Sequence, residues 1–408
     1  MTALAHLRVL DLSRVLAGPW ASQTLADLGA EVIKIERPDG GDDTRGWGPP
    51  WVAEAGGSEG RHSAYFAGAN RNKQSVAVDI GDPRGQEIVR ALAASSDVLI
   101  ENFKVGGLAR FGLDYETLRE INPRLVYCSI TGFGQTGPYA HLPGYDFLIQ
   151  GMGGLMSITG RPDAEAGGGP LKVGVALTDI LTGLYATVGI LAALAHRDRT
   201  GEGQHIDAAL LDVQVACLAN QAMNYLASGR QPPRLGNGHP NIVPYQDFRT
   251  ADGHVIITVG NDGQFARLCE ALGRPEWSAD PRFATNSARI EHRDVLIPLV
   301  QDVVSTRGTA AWLAALNGHG VPCGPINDLE EVFADPQVVH RGMRIELPDG
   351  GAGGVPALAS PLRLSGTPVR YRSAPPALGA HTRDVLRRIL DLPPERIDAL
   401  LDDKVVGG

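Results

Sequence analysis

The first third of the chain alternates apolar, β-branched runs with helical patterns, and that alternation leaves few architectures open. Leu7-Arg8-Val9-Leu10-Asp11-Leu12 reads as a buried strand. Gly18 and Pro19 then open a helix to Ala26, which Gly29 stops. Glu31-Val32-Ile33-Lys34-Ile35-Glu36 is a second strand, and the pattern recurs at Ser75–Ile80, Asp97–Ile100 and Leu125–Ile130. Helices are predicted over Arg84–Ala94 and Tyr115–Ile121. Strands separated by helices pair in parallel and need helices over both faces, so the sequence predicts an α/β fold with a Rossmann-like parallel sheet.

A chain of 408 residues is too long for one small core. The large domain is expected over residues 1–228 and a smaller α+β domain over 229–330, with residues 331–408 returning to the large one. The boundary at 229 rests on the Gly-, Pro- and Asn-rich stretch Gly229–Pro244. In the smaller domain His254–Val259 reads as a strand, and Gln264–Leu272 and Thr309–Leu316 as helices. Strands are expected near Met343 and Leu362. Ile180–His196 and Ile206–Ala227 read as long apolar helices, the second buried or at a subunit interface. The polar stretch holding Gly40-Gly41-Asp42-Asp43 and Gly56-Gly57-Ser58 is too long for a plain connector and reads as an active-site or surface loop.

The net charge of −9 argues against a general nucleic-acid binder. Cys128, Cys217, Cys269 and Cys323 are far apart and form no C-x-x-C pair, and the histidines are scattered, so neither a disulfide framework nor a metal site is expected. Met1–His6 carries no secretory pattern, and no uninterrupted apolar run reads as a membrane span. The expected location is the cytoplasm.

Chemistry concentrates at Val173-Gly174-Val175-Ala176-Leu177-Thr178-Asp179-Ile180-Leu181-Thr182-Gly183. Asp179 stands at the mouth of an apolar helix, where the partial positive charge of the helix start favours an ionised carboxylate nucleophile. Asp179 or Thr178 could equally cap that helix. The turn Ser13-Arg14-Val15-Leu16-Ala17-Gly18-Pro19 lacks the G-x-G-x-x-G spacing of a dinucleotide site, which disfavours NAD. Arg37, after the second strand, suits a phosphate or an adenine face. Asn102 and Phe103 follow the strand Asp97–Ile100, offering an amide and a stacking surface where open α/β sheets bind ligands. Arg71 could fork onto a substrate carboxylate, or be a solvated loop charge.

Together these stretches resemble the class III coenzyme A transferases, the family of formyl-CoA transferase and the carnitine CoA-transferases. The matching segments run along the chain: Val9-Leu10-Asp11-Leu12, Ala17-Gly18-Pro19, Leu28–Arg37, Gly41-Asp42 with Thr44-Arg45, Asn72-Lys73, Glu101-Asn102-Phe103, Tyr145-Asp146, Gly174–Asp179, Thr200–Gln204 and Val321–Pro325. The resemblance implies an interlocked, ring-like homodimer. It makes Asp179 the nucleophile and places CoA against Leu16, Ala17, Arg37, Val78, Asp79, Ile80, Gly81, Asn102, Phe103, Arg110, Tyr145 and Asp146. Leu16 stands where formyl-CoA transferase has a glutamine near the formyl group, which argues against formate.

A sister branch, the α-methylacyl-CoA racemases, uses a histidine in a Gly-His-Asp motif. Here the motif reads Gly144-Tyr145-Asp146, and tyrosine is a poor substitute for that base. Within the transferases, Gly41–Arg45, Trp47-Gly48-Pro49-Pro50, Tyr127–Gly132, Ile242–Gln246 and Pro325-Ile326-Asn327 are most similar to the type that moves CoA from succinyl-CoA to glutarate. Malate, itaconate, mesaconate or an aromatic succinate would also suit an arginine-lined pocket. Arg71 is the first candidate for the far carboxylate of a dicarboxylate, and Arg45 the second.

The implied chemistry passes through an acyl-aspartyl anhydride and an aspartyl-CoA thioester. It needs no metal and no permanently bound cofactor, and its partners are acyl-CoA, a carboxylic acid and a second copy of the chain. Amides at the helix start would steady the oxyanions, and Gly236, Gly238 and His239 would belong to a lid. A CoA-binding protein without catalysis is the remaining alternative, which the retained Asp179 argues against.

Overall fold

The computed structural model describes residues 2–53, 61–348 and 354–408, so the Gly56-Gly57-Ser58 part of the expected loop lies outside the described residues. The chain divides into two compact units. The first comprises Met1–Gly154, Val173–Ala219 and Pro336–Gly408, and the second comprises Leu155–Lys172 and Asn220–Asp335. The second unit thus starts nine residues before the Gly/Pro-rich stretch at 229 and recruits Leu155–Lys172 from inside the first.

The first unit is built on a seven-stranded sheet. Its strands are β1 (Arg8–Asp11), β2 (Glu31–Glu36), β3 (Lys73–Val78), β4 (Val98–Glu101), β5 (Val126–Thr131) and β6 (His205–Ala209), with the short strand Val406–Gly407 at one edge. The order is Val406–Gly407, β3, β2, β1, β4, β5, β6. All pairs among β1–β6 are parallel, and Val406–Gly407 runs antiparallel to β3. Strand order therefore reverses between β1 and β4, where a doubly wound sheet opens a crevice for ligands.

Apolar residues of the central strands alternate into two cores, one on each face. Leu10, Ile33, Val76 and Leu99 pack with the helices Pro83–Ala94 and Thr382–Leu390. Val9, Val32, Val98 and Ile100 pack with the helix Ala17–Asp27 and the long helix Leu177–Thr200. Buried ion pairs interrupt this pattern. Lys34 and Lys73 are fully buried on β2 and β3, paired with Asp42 at 2.9 Å and Asp11 at 3.1 Å. Charges at such depth persist because each is paired and hydrogen-bonded.

The expected helix Ile206–Ala227 is corrected. His205–Ala209 is the edge strand β6, paired with Tyr127–Thr131, and helices follow at Leu210–Ala216 and Ala219–Ser228. Local propensity favours helix in this Ala- and Leu-rich run, but the ladder to β5 satisfies its backbone and overrides that preference. The break falls where Ala219 takes a positive φ of 45°.

Leu177–Thr200 is, by length and composition alone, apolar enough to cross a membrane, although charged residues interrupt it. It carries Asp179 and Arg197, both buried, and packs against Ala17–Asp27 and the sheet.

The second unit has an antiparallel sheet in the order Cys323–Pro325, His254–Thr258, Tyr245–Arg249. The helices Asp262–Ala271, Arg293–Val304 and Thr309–Gly318 close a core of Phe248, Val255, Ile257, Phe265, Leu296 and Trp312 over it. In the C-terminal part of the first unit Arg344–Leu347 pairs with Val355–Leu358, and Leu362 follows in irregular backbone.

Candidate active site

The turns after β1 and β4 meet at the reversal point. There they wall a cavity of about 180 Å³ whose lining includes Arg14, Val15, Ala17, Asn102, Phe103, Lys104, Tyr145 and Asp179. Three features bring these residues together. Gly183 lies one helical turn past Asp179, and a Cβ there would stand 2.6 Å from the Ala17 carbonyl. Only glycine lets the two helices approach so closely. Gly132 and Gly144 cross in the same way, since a Cβ on Gly132 would come within 2.5 Å of the Gly144 Cα. Asn102 grips the backbone of Arg14 at both ends, accepting from its N–H at 2.9 Å and donating to its carbonyl at 2.7 Å.

That grip helps hold Val15 at a φ of 72°, a region costly for a β-branched residue. The Val15 N–H points to Asp42 Oδ1 at 3.3 Å. Asp42 is in turn anchored on Lys34, whose ammonium also donates to the Ser13 carbonyl at 2.7 Å. Nothing in the composition of the turn announces this backbone, which carries no glycine at the left-handed position.

Asp179 is the third residue of the long helix and is 9% exposed, facing the cavity. It does not cap its helix, and neither does Thr178, whose hydroxyl donates to Gln214 Oε1 at 2.6 Å. The cap comes from Asp146 on another element: its Oδ1 accepts from the Thr178 and Asp179 amides at 2.8 and 3.4 Å. Gln150 holds the second Asp146 oxygen at 2.7 Å.

The expectation that the helix start favours an ionised Asp179 is therefore corrected. Burial, then the charge of Asp146, pushes the Asp179 carboxyl up to about 7. The amides expected to steady oxyanions are taken as well, Leu177 by the Val175 carbonyl and Ile180 by that of Ala176. Sequence reasoning missed Tyr65. Burial, with the charges of Asp179, Asp146 and Asp42, raises its phenol to about 12, and its ring meets Trp47 edge-on at 5.2 Å.

A second cavity, of about 350 Å³, shares Arg14 and Phe103 with the first. Arg37, Val78, Asp79, Ile80, Gly81 and Arg110 line it. Leu16 is buried just ahead of the helix Ala17–Asp27 and lines neither cavity. Asp146 likewise lines neither, being spent on the helix start. Arg71 and Arg45 are not free to meet a substrate. Arg71 is 5% exposed and forks onto Asp27, Nε at 2.9 Å and Nη2 at 2.5 Å, with its third nitrogen on the Leu358 carbonyl. Arg45 forks onto Glu36 at 2.8 and 2.7 Å and lies 3.9 Å from the centre of the Phe66 ring. Among the described residues the cations on the Asp179 cavity are Arg14, which pairs with Asp43 at 2.9 Å, and Lys104.

Gly236, Gly238 and His239 belong to the second unit. There Gly236 has a φ of 59°, and the His239 carbonyl accepts from Arg293 at 2.6 Å. Among the described residues no cluster of His, Cys, Asp and Glu is placed to hold a metal.

The model of the family described as CoA-transferase family III matches residues 4–382. This chain belongs to that family. The transferase is 54% identical to the succinate–glutarate CoA-transferase of Agrobacterium fabrum, over 95% of each chain. It is 44% identical to the succinyl-CoA:glutarate CoA-transferase of Homo sapiens, over 99% of this chain and 90% of the human one. A solved CAIB/BAIF family protein from Brucella suis superposes with a TM-score of 0.83 at 51% identity, covering 95% of the transferase and 99% of that chain.

Proposed function

We propose that this transferase moves CoA from succinyl-CoA to glutarate, with Asp179 as the nucleophile. One observation carries the reading. A buried carboxylate faces a cavity at the reversal point of the sheet, and that cavity adjoins a second one lined by Arg37, Val78–Gly81 and Arg110. The second cavity suits the nucleotide end of CoA, and the first its thioester. The relatives' names supply the acids.

Asp179 attacks the succinyl carbonyl, the C–S bond breaks, and CoA leaves as thiolate. The thiolate attacks the aspartyl carbonyl of the mixed anhydride, which releases succinate and leaves Asp179 as a CoA thioester. The glutarate carboxylate then displaces the thiolate to form a second anhydride. Attack of the thiolate on its glutaryl carbonyl gives glutaryl-CoA and restores Asp179. No proton is gained or lost overall, and either intermediate would hydrolyse if water entered. Lys104, rather than Arg71 or Arg45, is the cation this reading assigns to a substrate carboxylate, because Arg14 on the same cavity is already paired with Asp43 at 2.9 Å.

The working form in this reading is a cytoplasmic homodimer. Leu184, Tyr185, Val188 and Leu191 leave an exposed apolar stripe on the long helix, which supports burial against a second copy. The interlocked ring and the lid of Gly236, Gly238 and His239 complete the proposal. Light scattering at micromolar concentration tests the dimer, and a monomer contradicts it. Replacing Gly236 and Gly238 by alanine is expected to raise the ratio of hydrolysis to transfer, and an unchanged ratio removes the lid. Glutaryl-CoA formation from succinyl-CoA and glutarate, lost in Asp179→Ala, tests the activity.

A further inference from the structure

Below the turn that joins the two cavities lies a chain of polar side chains that the transfer chemistry does not use. Glu101 ends β4 and is 6% exposed. Its Oε2 accepts the Phe103 N–H at 2.7 Å. Ser129, from β5, is the register partner of Glu101 and stands beside it in the sheet. Ser129 Oγ lies 2.9 Å from His205 Nε2 on β6. The His205 ring stacks on Tyr115 with centroids 5.0 Å apart and meets the edge of Tyr127 at 5.5 Å. Three neighbouring strands thus each contribute one polar residue.

These residues line a separate cavity of about 300 Å³ that does not include Asp179. Lys104 and Val105 line both this cavity and the one at Asp179, so the turn Asn102–Lys104 has the nucleophile's cavity on one side and the polar chain on the other.

We propose that Glu101 is a positioning residue for acyl-CoA, holding the Asn102–Lys104 turn where the two substrate cavities join. The proposal rests on the acyl-CoA reading above. Among the described residues no cation pairs with the Glu101 carboxyl, and burial pushes it up to about 7. A group that costs so much to bury in its charged form needs a geometric reason to be there. The reason is the Phe103 amide, which would lose its acceptor inside the turn without it.

The ring of Phe103 lines both substrate cavities and lies 5.8 Å from the Arg14 guanidinium. Asn102, beside it, holds the backbone of Arg14. Movement of this turn displaces the surfaces that receive acyl-CoA. Asp179 is set by the long helix and by Asp146, so the chemical step is spared.

Steady-state kinetics of Glu101→Ala, Glu101→Gln and Ser129→Ala with succinyl-CoA and glutarate test this. Glu101→Ala is expected to raise the KM for succinyl-CoA about tenfold, with kcat and the KM for glutarate within about twofold of native. Glu101→Gln keeps an acceptor for the Phe103 amide and should stay within about threefold of native in every constant. Ser129→Ala removes the hydroxyl beside Glu101 without deleting the carboxyl and is expected to raise the same KM about threefold. It answers the question even if Glu101→Ala does not fold. An unmoved KM for succinyl-CoA in folded Glu101→Ala or in Ser129→Ala, or a loss confined to kcat, overturns the role of Glu101. Native protein that makes no glutaryl-CoA overturns the transferase reading instead, so the two failures are distinct.

Discussion

The Asp146 carboxylate caps the helix that carries Asp179, with Oδ1 2.8 Å from the Thr178 amide and 3.4 Å from that of Asp179 itself. One acid therefore consumes the helix-start donors that would favour the other's charge, and adds its own field. With burial, this holds Asp179 at about 7. A carboxylate so held is a stronger base than an ordinary aspartate, and attack on a thioester requires its ionised form.

The pH dependence follows with its sign. Transfer should rise as pH increases through about 7, where Asp179 ionises. Asp146→Asn keeps an oxygen for the Thr178 amide but removes the neighbouring charge. The acidic limb of the kcat/KM profile should then move down by roughly half a unit to one unit. A pH–rate profile of the variant checks this, and a limb that stays in place or moves up contradicts the assigned cause.

Asp179 also costs the fold stability. Its folded pKa lies above its unfolded value of 3.8, so ionisation favours the unfolded chain. The penalty is absent below about 3.8, grows between about 3.8 and 7, and is constant above that. Asp179→Asn removes it. The variant should be more stable than native by about 2 to 4 kcal/mol at pH 8, by less at pH 5, and inactive throughout. Denaturation at the two pH values measures the difference, and equal stability contradicts the strained nucleophile.

Much of this architecture is legible in the residues. The strand-helix alternation from Leu7 to Ile130 predicts the parallel sheet, because buried parallel strands read as apolar runs such as Val32-Ile33 and Val98-Leu99-Ile100. The run Ile206–Ala227 was less legible, since an edge strand of Ile, Asp and Ala has no period that separates it from a helix. At the site, Asp179 stands out as a lone acid in an apolar stretch. Its cap does not, because Asp146 is 33 residues away in sequence and meets it only through the fold. The arginines misled for a similar reason. Arg71 sits among polar neighbours in sequence, while its partner Asp27 lies 44 residues back inside the helix Ala17–Asp27.

That correction has a direct consequence. Arg71→Lys keeps a positive charge but loses the fork onto Asp27. It is expected to destabilise the protein by about 1 to 3 kcal/mol, seen by thermal denaturation, with the KM for glutarate within about twofold of native. A tenfold rise in that KM without loss of stability would return Arg71 to the substrate.

The most direct test of the central claim is mass spectrometry of the protein quenched during turnover with succinyl-CoA and glutarate. A CoA-sized adduct on the peptide carrying Asp179, together with glutaryl-CoA in solution, is the predicted result. Glutaryl-CoA formed with the adduct on a different peptide, or undiminished in Asp179→Ala, would contradict it.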